Sequence, residues 1–249
     1  MSKKDYLYGI HAVTSALELG SQRINKILIQ KGLQKAQHLI DLARTQGIDL
    51  DLIPKSDLER LSKGKNHQGI VAEVSYRQAG SEQDLVALLD STQGPVQFLI
   101  LDSITDPHNL GACLRTGDAT NITGIIVPKD KSASITATVS KVACGAAETV
   151  PLFQVTNLSR TLELLKSYNI WVYGLAGETK TSLYETDFES RVALVMGSEG
   201  KGLRPNTKKH CDFLIKIPML GHVESLNVSV ATGVTLYEVL RQHHKSRSQ

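Results

Sequence analysis

A run of polar residues that could bind a ligand follows a predicted strand near the middle of the sequence. Residues 102–115 contain Asn109 and Arg115, an amide and a permanent cation that suit a phosphate or a ribose. Pro107 favours an extended Asp106, and Asn109 is a natural residue to begin a helix. On that helix Arg115 lies nearly two turns further, so the two side chains converge only if the loop folds back. The alternative is an ordinary loop with a capping asparagine and a surface arginine.

A second segment, residues 196–203, is rich in glycine. Glycines at 197, 200 and 202 would let the backbone approach a ligand and present its amide donors, and Glu199 adds a carboxylate. The spacing fits neither the phosphate loop G-x-x-x-x-G-K-[ST] nor the dinucleotide fingerprint G-x-G-x-x-G, so a nucleotide-dependent dehydrogenase is a poor candidate. A plain glycine turn with a solvated Glu199 is the alternative.

A third segment, residues 217–231, contains a predicted helix start. Ser225 or Asn227 could cap this helix, and small or β-branched residues follow them. That composition suits a helix packed closely against other backbone. Capping alone would also explain Ser225 and Asn227.

The elements that must position these segments form an α/β fold. Apolar runs of the buried-strand type alternate with predicted helices, and they cover residues 98–102, 124–128, 171–175, 192–196 and 213–217. This alternation predicts a largely parallel sheet covered on both faces. Ligands of such sheets bind beyond the carboxyl ends of the strands, which is where the three segments begin. The sequence therefore predicts one ligand site built from all three.

The first 77 residues predict a separate, smaller α/β unit. Its predicted helices and strands alternate over residues 8–17, 24–29, 36–46, 49–53, 57–61 and 70–74. The stretch 80–92 is polar, acidic and partly helical, and it is our linker candidate. We accordingly predict a domain at 1–77, a linker at 78–94 and a second domain at 95–249.

The net charge of +3 is concentrated in the N-terminal part. Residues 1–77 carry twelve Lys and Arg against eight Asp and Glu. The excess is compatible with nucleic-acid contact, and equally with ordinary solvated lysines.

Several classes of protein are disfavoured. The sequence has no apolar run of about 18 residues and no apolar stretch behind the first lysines, so we expect neither a membrane span nor a signal peptide. Three cysteines without a C-x-x-C pair predict no disulfide framework, no zinc site and a cytoplasmic protein. No Ser/His/Asp order or metal-ligand spacing stands out.

The three segments resemble the three motifs of the SpoU-type, trefoil-knotted RNA ribose 2'-O-methyltransferases. The stretches that carry this resemblance are residues 106–115, then 195–200 with 202–203, and then 217–219 with 225–229. It also covers 141–148 with Pro151, and 8–13 and 67–70 in the N-terminal part. Nearly the whole chain is covered. The resemblance implies a parallel-sheet domain with a deep trefoil knot, a rare feature of proteins. It also implies an L30e-like N-terminal domain that grips RNA, and a homodimer with its active site near the dimer interface.

The resemblance further implies transfer of a methyl group from S-adenosylmethionine to the ribose 2'-hydroxyl of a guanosine in 23S ribosomal RNA, without a metal. Its cofactor-binding residues would be Leu175, Gly177, Gly197, Ile217, Met219, Ser225 and Leu226. Its catalytic residues would be Arg115, nearest the attacking oxygen, with Asn109, Glu199 and Asn227 ordering the site.

The chemistry assigns Arg115 a charge-stabilising role. Arginine stays protonated in proteins, so Arg115 would stabilise a developing alkoxide and hold a phosphate instead of accepting the proton. The proton acceptor is left open, and the neighbouring His108 is one titratable group.

Two other functions stay open: a tRNA ribose methyltransferase of the same fold, and a non-catalytic RNA-binding assembly factor.

Overall fold

The computed structural model describes residues 5–18, 24–33, 35–198 and 200–246. The chain divides into two compact units, residues 1–77 and 78–249. Each unit has hydrophobic core clusters of its own.

In its described residues, unit 1 is a four-stranded sheet with three α-helices. Its elements in chain order are β1 Asp5–Tyr8, α1 Ile10–Glu18, β2 Ile24–Gln30, α2 Gln37–Thr45, β3 Asp49–Ile53, α3 Lys55–Ser62 and β4 Ile70–Val74. The strand order is β1-β4-β2-β3, with β2 and β3 parallel and the other pairs antiparallel. Apolar residues of β2 and β4 pack with Leu17 and Leu39 of the helices. Strand β1 was not predicted.

Unit 2 is built on a six-stranded sheet whose neighbouring strands are all parallel. Its strands are β5 Val96–Leu101, β6 Gly124–Pro128, β7 Leu152–Val155, β8 Trp171–Leu175, β9 Arg191–Met196 and β10 Phe213–Ile215. Its helices are α4 Glu82–Ser91, α5 Pro107–Ala119, α6 Ala137–Ala143, α7 Ala146–Thr149, α8 Leu158–Ser167, α9 Pro205–Lys209 and α10 Val228–Ser246.

The sheet of unit 2 is covered on both faces, as the sequence predicts. Phe98 and Ile100 of β5 belong to one hydrophobic core, whereas Leu99 and Leu101 belong to another. Successive side chains of a strand point to opposite faces, so this division places one core on each side of the sheet. The strand order is β10-β8-β9-β5-β6-β7, and strand β7 was not predicted. The trefoil knot stays a prediction.

The segment predicted as a linker, residues 78–94, contains a packed helix of unit 2. Ser81 and Asp84 form a reciprocal capping box at the start of α4, and Leu85 and Leu89 are buried. Glu82 accepts hydrogen bonds from the backbone and side chain of Thr156 after β7, both at 2.7 Å. The sequence predicts this stretch to be partly helical, and a helix is present; its acidic residues cap and anchor that helix, so the stretch belongs to unit 2 instead of forming a linker.

Of the helices in the described ranges, none combines the length and the apolar character that crossing a bilayer requires.

Candidate active site

A cleft of about 780 Å3 lies beyond the carboxyl ends of β8, β9 and β10. Its wall contains every residue that the sequence predicted for a cofactor, namely Leu175, Gly177, Gly197, Ile217, Met219, Ser225 and Leu226. Cofactor-sized ligands occupy clefts of roughly 300–1,000 Å3, so the cleft is large enough for one. The structure thus brings together residues from four separate stretches of sequence.

One wall of the cleft is a tightly closed glycine loop, residues 197–203, described except for residue 199. Ser198 and Gly202 pair across it, with Ser198 N donating to Gly202 O at 3.1 Å and Gly202 N donating to Ser198 O at 2.9 Å. A Cβ atom on Gly197 would lie 2.1 Å from the carbonyl carbon of Gly202, so no other residue fits without moving the backbone. The loop is closed because Gly197 has no side chain.

The rest of the lining combines apolar and charged groups. Leu175, Ile217 and Leu226 offer an apolar wall for a planar ring. The rim carries Lys208, which donates to Glu178; this hydrogen bond lowers the pKa of the Glu178 carboxyl. A ligand with one planar apolar part and one charged part fits such a lining.

The first and third sequence segments meet where helix α5 packs against helix α10 and the residue before it. Asn227 Nδ2 donates to Asn109 Oδ1 at 3.0 Å, across 118 positions of sequence. One turn further along this pair of helices, the thiol of Cys113 donates to Thr232 Oγ1 at 3.5 Å. Burial raises the pKa of Cys113 to about 11, so it is a neutral packing residue at physiological pH.

Asn227 is the cap of helix α10. Its Oδ1 accepts hydrogen bonds from Ser229 N at 2.9 Å and Ser229 Oγ at 2.6 Å. The prediction that Ser225 or Asn227 caps this helix is confirmed for Asn227. The helix begins at Val228, directly after this cap, and Ser225 lies in the cleft wall.

Asn109, by contrast, does not begin helix α5. Asp106 is the N-cap, and its Oδ1 accepts from His108 N at 2.9 Å. Pro107 occupies the first turn, where a missing N–H costs nothing, so the helix starts two residues before the predicted position. Asn109 is therefore buried within the helix, where its Oδ1 accepts the hydrogen bond from Asn227.

Arg115 is exposed on a different face of α5 from Asn109. Six residues of helix turn its side chain by about 120° around the axis. Its Nη1 lies 3.6 Å from Cys144 Sγ, just after α6, and it is not among the described residues that line the cleft. The structure therefore does not bring Arg115 to Asn109 or to the cleft of its own chain. Glu199, the remaining predicted catalytic residue, lies outside the described residues.

The sequence analysis did not single out one residue that supports the site. Asp102 follows β5 and is buried, with Arg204 as its ion-pair partner after the glycine loop. The signal was a carboxylate at the end of an apolar strand, but no local pattern pointed to a partner 102 positions away. As for metals, no group of three or more His, Cys, Asp or Glu side chains is placed to hold an ion within the described ranges.

Two family models match the chain. The model of the SpoU rRNA Methylase family matches residues 97–237. A model described as RNA 2'-O ribose methyltransferase substrate binding matches residues 6–79.

Curated proteins and solved structures resemble the chain over nearly its full length. The 23S rRNA (guanosine-2'-O-)-methyltransferase RlmB of Escherichia coli K12 is 50% identical over 240 residues, which are 96% of this chain and 98% of that protein. The protein of the same name from Pseudomonas putida is 47% identical over 249 residues, 99% of this chain and 100% of that protein. The SpoU methyltransferase AviRb from Streptomyces viridochromogenes, solved in complex with AdoMet, has a TM-score of 0.77 at 22% identity, covering 97% of this chain and 91% of that one. This last likeness supports the fold.

Proposed function

The chain belongs to the SpoU rRNA Methylase family, and we propose that it transfers a methyl group from S-adenosylmethionine to the ribose 2'-hydroxyl of a guanosine in 23S ribosomal RNA. The observation that carries the proposal is the single cleft that gathers all seven predicted cofactor residues. The names of relatives about 50% identical over both units support the substrate. Such an enzyme would work in the cytoplasm, where ribosomes are made.

The cleft fits the cofactor by its shape and chemistry. Leu175, Ile217 and Leu226 would hold the adenine against apolar surface, while Gly177 and Gly197 allow close approach of the backbone. The charged groups at the rim suit the amino-acid end. When bound, S-adenosylmethionine supplies a methyl carbon that is electrophilic because it is attached to a sulfonium.

The side chains of the protein must then position the ribose and help its 2'-hydroxyl lose a proton. A 2'-hydroxyl is a weak nucleophile, and holding it in line can lower the barrier by on the order of 7–11 kcal/mol. Because arginine is a permanent cation in proteins, Arg115 would stabilise charge on the 2'-oxygen and bind a neighbouring phosphate. The hydrogen bond between Asn109 and Asn227 would fix the two segments around the reacting groups.

We also propose that two copies of the chain form a homodimer. The surface of α10 exposes Val230 and Tyr237, each about half accessible to solvent. Arg115 is exposed and outside the cleft wall of its own chain, so a second copy is a simple way to bring a cleft and this arginine together. Sedimentation equilibrium is expected to give the mass of two chains.

Unit 1 offers a surface for RNA at one end of its sheet, where β1, β2 and β3 finish and β4 begins. The segments at this end are the start of α1 with Gly9 (9–11) and the loop residues 31–33, 35–36 and 63–69; together they contain four lysines and two histidines and no acidic residue. Lys65 Nζ lies 4.8 Å from the ring centroid of Tyr8, and Lys31 N donates to Ile53 O at 3.0 Å. Lysines in such a setting bind phosphates, and Tyr8 offers a ring on which a base could stack.

Reversing charge at this end is expected to weaken RNA binding. The double variant Lys31→Glu/Lys65→Glu should lose about tenfold or more in affinity for a 23S rRNA fragment, with a shallower dependence on salt, because phosphate contacts release counterions. Filter binding over a range of salt concentrations measures both. The matched control is Arg44→Glu, an exposed arginine at the far end of α2. Equal losses in the two variants would mean that general charge, not this surface, attracts the RNA.

Mapping 2'-O-methyl groups in RNA tests the function itself. Ribosomal RNA from cells lacking the protein should lose one methylated guanosine in 23S RNA, and purified protein with labelled cofactor should restore it. Loss of a tRNA methyl group instead would identify the tRNA enzyme. Unchanged methylation of both RNAs, with RNA binding intact, would favour a non-catalytic assembly factor.

A further inference from the structure

The side chain of Asp102 is a fully buried carboxylate at the carboxyl end of β5. Its Oδ1 lies 2.6 Å from Arg204 Nη2 and accepts from Ser103 Oγ at 3.2 Å. Its Oδ2 accepts from Thr207 Oγ1 at 2.7 Å and from the backbone N of Arg204 at 3.4 Å. Burying a carboxylate is costly unless it is paired and hydrogen-bonded, and here both oxygens are satisfied.

Asp102 holds both ends of the glycine loop. Its backbone N donates to the carbonyl of Met196, the residue before the loop, at 2.8 Å. Its carboxylate holds Arg204, the residue immediately after the loop, and Thr207 of α9. Between these two anchors the loop contributes Gly197, Ser198 and its C-terminal residues to the cleft wall without a Cβ at its tightest point.

We propose that Asp102, with Arg204 and Thr207, is a positioning residue that sets the shape of the glycine loop for the cofactor. This inference rests on the proposed function. Asp102 itself is not among the described residues lining the cleft, so it acts through the loop. Without the carboxylate charge, Arg204 and the end of the loop are held only by hydrogen bonds to a neutral side chain. Part of the free energy of cofactor binding is then used to close the loop.

The first test is the variant Asp102→Asn, which keeps the size of the side chain and removes its charge. We expect the Kd for S-adenosylmethionine, measured by titration calorimetry, to rise about tenfold. Hydrogen exchange of the amides of residues 198–203 should accelerate about tenfold in the protein without cofactor. The milder variant Thr207→Val removes one hydrogen bond to the same carboxylate and should raise the Kd about threefold. It keeps the test valid if Asp102→Asn folds poorly.

The matched control is Glu238→Gln on helix α10. Glu238 is also a buried carboxylate, 2.6 Å from Arg241 Nη2, but it is not part of the cleft wall. Its Kd for S-adenosylmethionine and the exchange of residues 198–203 should match those of the wild type. The inference is overturned if Asp102→Asn and Thr207→Val retain wild-type affinity and exchange. It is equally overturned if their losses only follow global unfolding, so that Glu238→Gln loses the same affinity and the same protection of residues 198–203. Failure of the wild-type protein to bind S-adenosylmethionine would instead refute the proposed function, and loop exchange without cofactor would still test the role of Asp102.

Discussion

Replacing Gly197 with alanine is expected to weaken S-adenosylmethionine binding at least a hundredfold, about 2.7 kcal/mol. The new methyl group would lie 2.1 Å from the carbonyl carbon of Gly202 and 2.3 Å from the amide nitrogen of Leu203. Both are backbone atoms, so the strain cannot be relieved by rotating a side chain. The loop must open, and the paired hydrogen bonds between Ser198 and Gly202 must break. Titration calorimetry of the purified variant measures the loss.

Gly233→Ala is the control for this experiment. A Cβ on Gly233, in helix α10, meets its nearest atom, Thr116 Cγ2, at 3.9 Å, which is ordinary contact. Alanine also favours a helix over glycine by roughly 0.5–1 kcal/mol, so the thermal midpoint should stay the same or rise. Wild-type cofactor affinity in a folded Gly197→Ala variant would show that the closed glycine loop is not part of the binding site.

The location of the site was predictable because it depends on a general property of parallel sheets. All strands of the sheet point the same way, so loops after β8, β9 and β10 meet at one edge whatever their separation in sequence. Gly197 could be singled out by its residue type alone. The family was also predicted correctly, because motifs retain the spacing that the site needs.

Other features depend on long-range contacts and could not be predicted in this way. The partner of Asp102 is 102 positions away, and only the packed structure selects Arg204 from the arginines of the chain. One local signal was misjudged, because an Asp-Pro pair begins a helix better than Asn109 does. The helix around Glu82 was indicated by the sequence, but its packing within unit 2 depends on residues that lie far along the chain, such as Thr156.

Among the differences between the sequence prediction and the structure, the direction of the Arg115 side chain has the greatest functional consequence. Spacing placed Asn109 and Arg115 in one motif, but the helix turns them to different faces, and only Asn109 meets Asn227. The close contact between α5 and α6 fixes this orientation. A Cβ on Gly111 would lie 2.7 Å from Val142 Cβ, so α6 packs against the α5 backbone on the side where Arg115 emerges.

This geometry separates cofactor binding from catalysis, so the two should respond differently to mutation. Arg115→Ala is expected to reduce the rate of methyl transfer by about a thousandfold or more, since it removes the charge that stabilises the developing oxyanion. The Kd for S-adenosylmethionine should stay within about twofold of the wild type, since Arg115 is outside the cleft wall of its chain. Single-turnover transfer of a labelled methyl group and calorimetry measure the two quantities.

Two further variants sharpen this experiment. Arg115→Lys keeps the positive charge but not the planar pair of donors, so it should recover part of the lost rate. Arg160→Ala removes another exposed arginine of unit 2, one that lies outside the three sequence segments and pairs with Glu82, and should transfer methyl groups at the wild-type rate. If Arg115→Ala folds but no longer binds the cofactor, Arg115 belongs to the binding site. If Arg115→Ala keeps the wild-type rate, the oxyanion is stabilised elsewhere, and the exposed face of α5 has no part in the reaction.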